Sequence, residues 1–432
     1  MDQKRFWILL AALHALFMGK QLFFGNSMLQ DSREYLYAAD NLLQHQTLYA
    51  WNMNHAWNPD WLSKRPFVYP LILSVFRLIS FGSDFLFFFL IYGVQNLISM
   101  LNTKLVLKIA AAKGLHIRWS AAAVFMLFSV SQLIYANMVM SEVWLQLCMV
   151  SVLYLVVVKP DTNRRLFYIA LLLICGMALK PVLQFCAILL PLIWLIRHVR
   201  RFRFLGFATA LLPLLFYMSV SAWNQSRTGY FHYASISNIN LLHYNTYSTL
   251  MYRYGTVKAD SIIDNIHTRA QIMPLYKDEQ NYIRKASSEQ LMAHLPTYVF
   301  LHARGIVFCL LDPGRFDFTQ FFQLPHGKNL IYETNKTGAV KSVLNSFMNP
   351  LGVLLALLMV FNAARALCML RFLFSKGQPL HFRLLLLAFP VYILALTGPI
   401  GTSRFFMPLI PFALLMCIAV VQKKRIKNQE PE

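Results

Sequence analysis

The chain has 432 residues, 57% hydrophobic and only 13% charged, about half the charged share of an ordinary soluble domain. That balance excludes a soluble globular enzyme. The formal net charge of +22 lies in short segments between apolar runs, not in a basic stripe on a soluble domain, which excludes nucleic acid as the partner. Apolar runs of roughly 17–25 residues, enough to cross about 30 Å of hydrocarbon as helices, set the expected fold class: an all-α polytopic membrane protein.

In chain order, Lys4 and Arg5 precede a first run over 6–24 that lacks a small-residue cleavage site and reads as an uncleaved span. A second span is expected at 85–105, then five more at 121–136, 143–158, 166–178, 182–196 and 204–220. A polar stretch follows over 221–295, and three last spans fall at 351–370, 384–396 and 405–421, about ten in all. Two shorter apolar runs, 67–80 and 298–311, suit interfacial helices better than spans.

Lys and Arg cluster at Lys104, Lys108, Lys113 and Arg118; at Lys159, Arg164 and Arg165; at Arg197, Arg200, Arg201 and Arg203; at Arg365, Arg371, Lys376 and Arg383; and at Lys423, Lys424, Arg425 and Lys427. Under the positive-inside rule these are cytoplasmic, and both termini with them. All acids but Asp2, Asp161, Glu430 and Glu432 then face the exoplasm, so carboxylate chemistry is expected there. The domain reading is a membrane module over 1–223 containing a first outer loop (25–83), an exoplasmic helical subdomain with an interfacial helix over 224–345, and C-terminal membrane helices with a basic tail over 346–432. Amphipathic patterns at Ile262, Ile263 and Ile266 and at Ile283, Leu291, Met292 and Leu295 support the subdomain. The six cysteines all lie in apolar stretches without metal or redox spacing and read as core residues.

The segment QDSREYLYAADNLL, from Gln30 to Leu43, places Tyr35, Ala38, Ala39, Leu42 and Leu43 on one helix face. Asp31 and Glu34 fit a D-x-x-E capping box, with Asp31 as N-cap. A cap leaves one carboxylate oxygen available, so a functional role stays open beside it. Other charges gather at the same depth: Lys64 and Arg65 before Pro66-Phe67-Val68-Tyr69-Pro70, Glu142 opening a span, Lys180 in an outer turn, and Arg404 opening the last span. Boundary cations can merely snorkel, but two acids and four bases from five segments suit another task. Cations hold a lipid phosphate as it leaves, Arg by bidentate contacts and Lys as point charges, while Asp31 takes a proton from the incoming hydroxyl. Arg304, midway along the 298–311 run, faces either lipid headgroups or the donor phosphate. His243, His267, His294 and His302 lack metal-like spacing, and sequons begin at Asn224 and Asn335.

These residues resemble the C-type polyprenyl-phosphate-sugar glycosyltransferases, which include protein mannosyltransferases and bacterial aminoarabinose transferases. Residues 31–43 look like the acid and amphipathic helix that open that family's first outer loop. Lys-Arg-Pro-Phe-Val-Tyr-Pro-Leu-Ile-Leu-Ser-Val-Phe over 64–76 is similar to its R/K-P-P-L-Y-P-L-L-L segment. Ser141-Glu142, Lys180-Pro181, and Arg404 with Pro408 and Pro411 match its habits in order and sidedness. The resemblance covers the first half and the last span; 221–340 matches loosely.

It implies transfer of a sugar from a polyprenyl-phosphate donor to a lipid, glycan or protein acceptor on the exoplasmic face, with inversion. It further implies Asp31 with Glu34 as catalytic acids, and Lys64, Arg65, Lys180 and Arg404 as phosphate ligands. Glu142, Tyr69 and Arg304 are further site candidates. Ser32 stands where many members carry Glu, Phe67 replaces a Pro, and Lys180 stands where Arg is frequent. Asp31 and Glu142 offer oxygen ligands to a divalent cation, two being too few to require one. The rival readings are a lipid-linked glycan polymerase or ligase, and a transporter or flippase; mid-span charges, which a transporter would use, are nearly absent.

Overall fold

The computed structural model describes residues 1–198, 203–324 and 350–421. Arg200, Arg201, Lys423, Lys424, Arg425, Lys427, Glu430, Glu432 and the Asn335 sequon lie outside the described residues. All regular structure among the described residues is helical. The first half runs α1 (Gln3–Phe23), α2 (Gln30–His45), α3 (Val68–Ile79), α4 (Asp84–Ala112), α5 (Trp119–Phe128), α6 (Val130–Ala136), α7 (Glu142–Val158), α8 (Asn163–Leu179), α9 (Cys186–His198) and α10 (Phe204–Thr228). The second half contains α11 (Ile236–Asn240), α12 (Tyr247–Tyr254), α13 (Thr256–Gln271), α14 (Tyr276–Ala293), α15 (Leu295–Leu311), α16 (Arg315–Phe322), α17 (Pro350–Leu373), α18 (Leu380–Leu396), α19 (Ser403–Phe406) and α20 (Ile410–Val420).

Five stretches are long and apolar enough to cross a membrane: α1, α4, α10, α17 and the α19–α20 run, Ser403–Val420. Two bent pairs, α5 with α6 and α14 with α15, raise the number to seven. The protein is thus a helical integral membrane protein. The other expected spans form helices, α7, α8, α9 and α18, but the longest have 17 residues. At about 1.5 Å per residue such a helix reaches about 25 Å, short of the hydrocarbon thickness.

Two sequence expectations change. The run 121–136 is not one straight span but breaks at Ser129 with a 64° bend. The Ser129 hydroxyl donates back to the Phe125 carbonyl at 2.7 Å, a side-chain intrusion of the kind that bends helices. The run 298–311 belongs to a longer helix, α15, which leaves α14 at 93°. Pro296, near its start, has no N–H to continue the preceding helix and suits a first helical turn.

The helices α4 and α7 form the centre: α4 packs on α1, α7 and α20, and α7 on α8. The last span is the most enclosed, 72% of it buried against 22% for α1. Amides and hydroxyls knit this centre together. His14 Nδ1 donates to Asn96 Oδ1 (2.6 Å), Ser99 Oγ meets His14 Nε2 (3.2 Å), and Gln132 Nε2 donates to Ser99 (2.8 Å). Gln132 and Gln146 exchange a reciprocal amide pair at 2.8 and 2.9 Å, and Gln146 also donates to the Met407 carbonyl (3.0 Å). Where lipid supplies no hydrogen bonds, such pairs hold helices in register. Farther along, Leu242, Leu250, Ile263, Ile266 and Ile283 close a small separate core among the helices between α10 and α15. Met292 and Leu295, expected in its apolar stripe, are exposed.

Candidate active site

Asp31 is not the cap of α2. The helix begins one residue before it, with Leu29 as N-cap, and Ser32 Oγ accepts the Leu29 N–H at 3.2 Å. Ser32 therefore does the capping that the D-x-x-E pattern assigned to the acids, and both carboxylates are free for tertiary partners.

Those partners are the cations named from the sequence. Glu34 receives Lys64 Nζ at 3.0 Å and Arg65 Nε at 2.6 Å. Arg65 reaches across to Asp31 Oδ1 at 2.7 Å. Arg404 joins the other Asp31 oxygen through Nη2 and Glu142 Oε1 through Nε at 2.8 Å. Lys180 Nζ closes the row on the same Glu142 oxygen at 2.5 Å. Seven side chains from five segments thus form one continuous chain of ion pairs, Lys64–Glu34–Arg65–Asp31–Arg404–Glu142–Lys180, with one cation in excess. Glu34 and Glu142 are almost wholly buried, while Asp31 and Arg404 keep about a fifth of their side-chain surface, 20% and 22%. Lys180 keeps a similar 19%, so the accessible edge of the chain includes Asp31, Arg404 and Lys180.

Helix ends deliver these groups to one end of the bundle. Asp31 follows the C-terminus of α1, Glu142 opens α7, Lys180 ends α8 and Arg404 opens the last span. Lys159, at the opposite end of α7, belongs to the basic rim, so the two ends differ in charge character. Burial alone would raise the Asp31 carboxyl, but Arg404 and Arg65 outweigh it and hold the group well below the ordinary carboxylate range. Tyr35 lies beneath Arg65, its ring centre 5.2 Å from the guanidinium carbon, and its hydroxyl meets Ser141 Oγ at 3.0 Å.

Close backbone approach fixes Arg404. A Cβ on Gly401 would sit 1.7 Å from the Gly305 carbonyl oxygen of α15, so only glycine lets this loop dock. Beyond it, the Ser403 N–H donates to Asp312 Oδ2 (2.6 Å) and the Ser403 hydroxyl to Asp317 Oδ2 (2.6 Å). Tyr135 donates to the other Asp317 oxygen at 2.8 Å. Burial raises Asp317 to about 6, with the Ser403 and Tyr135 hydrogen bonds opposing.

Two candidates stand outside the row. Tyr69 is buried edge-on against Tyr35, and its hydroxyl donates to Gln95 Oε1 at 2.8 Å, so it supports the floor without facing the ions. Arg304 lies beside Tyr252 and Phe308, 5.6 and 5.4 Å from their ring centres, and forms no ion pair among the described residues. Asn224 is buried with its amide donating to the His232 and Tyr233 carbonyls, which removes it as a sugar acceptor in this state. Sequence reasoning missed His232, whose Nε2 meets Ser63 Oγ at 2.7 Å while Nδ1 donates to the Tyr230 carbonyl at 2.8 Å. It also missed Asp60, which accepts from Tyr276 at 2.5 Å and ties α14 to the first loop. Partners this far apart in the chain leave no local pattern.

Asp31 and Glu142, the pair that a divalent cation would share, both engage Arg404, a guanidinium in the place such an ion would take. Among the described residues no group of three His, Cys, Asp or Glu is placed to hold a metal. The donor set therefore does not fit a divalent ion.

No family model matches the chain, and no curated protein matches it. Among solved structures, that of ArnT from Cupriavidus metallidurans bound to undecaprenyl phosphate superposes on 97% of this chain and 78% of its own, at 12% identity and a TM-score of 0.37. A likeness that low bears no weight for the site or its chemistry.

Proposed function

We propose that the chain is a membrane glycosyltransferase of the C-type fold. It moves a sugar from a polyprenyl-phosphate donor to a hydroxyl-bearing acceptor at the exoplasmic face, with the basic rim cytoplasmic. In this reading the shorter apolar helices also cross, giving about ten spans, and the helices between α10 and α15 form the exoplasmic subdomain. The observation that supports it is the continuous row of three carboxylates and four cations gathered at one end of a bundle of apolar helices.

In the unliganded row Asp31 is a poor base, because two guanidiniums stabilise its anion. A donor phosphate brings a better bidentate partner to Arg404 and Arg65 and competes with Asp31 for them. Asp31 loses its counter-charges as the phosphate gains them, and its proton affinity rises when a base is needed. The acceptor hydroxyl oxygen then bonds to the anomeric carbon, the carbon–oxygen bond to phosphate breaks, and the hydroxyl proton passes to Asp31. The electron pair leaves with polyprenyl phosphate, whose added charge Arg404, Arg65, Lys180 and Lys64 offset. Single displacement inverts the anomeric centre.

The bend between α5 and α6, the bend between α14 and α15 and the buried Arg365 within α17 are features that a transporter would also show. The amide seam beside the first of these is enclosed, with His14, Ser99, Gln132 and Gln146 all nearly inaccessible, so it lines no path. The test is transfer of radiolabelled sugar from a polyprenyl-phosphate donor by membranes containing the protein. Asp31→Asn is expected to lower the rate about 10³-fold, as for loss of a general base. Unchanged transfer by a normally expressed Asp31→Asn protein removes Asp31 from the mechanism.

A further inference from the structure

The basic residues grouped from sequence as a cytoplasmic cluster include one whose side chain is buried. Arg365 lies about four turns into α17, and only 6% of it is exposed. Its guanidinium carbon sits 3.9 Å from the centre of the Phe406 ring, and no carboxylate pairs with it among the described residues. Its Nε is sealed from solvent without a hydrogen-bond partner. The side chain borders a narrow, partly open cleft. Ser131 and Asp312 line the same cleft, which meets the ion row only through Ser403, the chain neighbour of Arg404.

A buried charge without a counter-ion is costly, and a ring contact recovers only part of that cost. Asp312 forms no ion pair with it among the described residues; its carboxylate accepts instead from the Gly314 N–H (2.9 Å) and the Ser403 N–H (2.6 Å). Asn362 is committed as well, its amide donating to the Asp312 carbonyl at 2.8 Å. The Ser131 hydroxyl has no hydrogen-bond partner among the described residues and adds a free donor to the cleft.

We propose that this cleft is an anion site for a phosphoryl group, with Arg365 as its fixed charge and Ser131 as a second donor. The guanidinium fork matches two phosphoryl oxygens, and the aromatic face behind it holds the fork in the open orientation. The phosphoryl group is either the headgroup of a membrane lipid or free phosphate. The site uses none of the seven residues of the ion row and stands whether or not those residues transfer sugar.

The experiment compares the full-length protein with Arg365→Gln, Arg365→Lys and Arg371→Gln, the last an exposed position further along the same helix. Retained lipid is counted by native mass spectrometry after release from micelles containing phosphatidylglycerol. Inorganic phosphate is titrated in parallel by calorimetry. Arg365→Gln is expected to weaken binding about tenfold, the size of one lost charge-assisted hydrogen bond. Arg365→Lys falls between, keeping the charge without the fork, and Arg371→Gln binds as the parent does. Saturable binding of lipid alone assigns the site to a headgroup; saturable binding of both probes assigns it to the phosphoryl group from either source. Should Arg365→Gln not fold, the parent and Arg365→Lys decide by the same measure. The proposal fails if the parent binds neither probe saturably, or if Arg371→Gln loses as much as the Arg365 variants.

Discussion

Two buried polar systems meet on α7, one turn apart. Glu142 belongs to the row of ion pairs, and Gln146 to the amide seam that runs through Gln132 and Ser99 to His14. The seam is neutral and enclosed, and each system leaves one buried oxygen without a hydrogen-bond partner among the described residues, Asn102 Oδ1 in the seam and Glu142 Oε2 in the row. The row is charged, carries one extra cation and is partly exposed at Asp31, Arg404 and Lys180. A reciprocal amide pair has nothing to gain from a ligand, since each donor already has its acceptor. An ion row gains when a stronger anion arrives, because its cations can trade one partner for another. The contrast separates scaffold from site within one helix.

Each remaining test presses on that contrast. Arg404→Lys should break the row with the largest effect. It keeps a charge but cannot span Asp31 and Glu142 with one fork, and transfer should fall about 100-fold, as for loss of one transition-state donor. The same transfer assay checks it, and expression should be normal. Gln146→Leu should instead strike the scaffold: it leaves Gln132 and Asn102 short of partners at a cost of about 1–3 kcal/mol. A lowered melting temperature in detergent with transfer per folded molecule intact is the expected result; equal loss of transfer and stability would dissolve the distinction.

Asp317, behind Arg404, gives a pH test. Its folded-state value of about 6 lies above the ordinary 3.8, so the folded protein holds the proton more tightly than the unfolded chain. The resulting stability is complete below 3.8 and is lost as pH rises through about 6. Melting temperature measured between pH 4.5 and 7.5 should therefore fall more steeply in the parent than in Asp317→Asn, which cannot ionise. The smallest effect belongs to Ser32→Ala. Removing the acceptor of the Leu29 N–H should cost about 1 kcal/mol of stability and leave the ion row in place.

Much of the site was legible because the chemistry that builds it is charged and the background is not. In a chain this apolar, each acid or base near the end of an apolar run stands out, and the positive-inside rule sorts them by side. That is how Asp31, Glu34, Lys64, Arg65, Glu142, Lys180 and Arg404 could be named together. The pattern went wrong where a short motif had two solutions: D-x-x-E fits a capping box, but Ser32 caps the helix and frees the acids. Local composition is also blind to burial: Arg365 and Arg371 fall in one basic cluster, yet Arg365 is buried and Arg371 exposed, because they occupy different faces of the same helix. His232 and Asp60 gave no signal at all, since their tertiary partners, Ser63 and Tyr276, lie more than 150 residues away.

The sequence by itself determined that the chain folds as apolar helices in a membrane, where most of them begin and end, and which end of the bundle collects the acids. Those properties follow from run length, composition and helix period, all local quantities. Only the tertiary structure decided which carboxylate meets which guanidinium, that Asp31 is held between Arg65 and Arg404, and that Arg365 has no carboxylate partner among the described residues. Pairing across hundreds of residues depends on how helices pack, and packing is set by the joint fit of many side chains that no single stretch encodes.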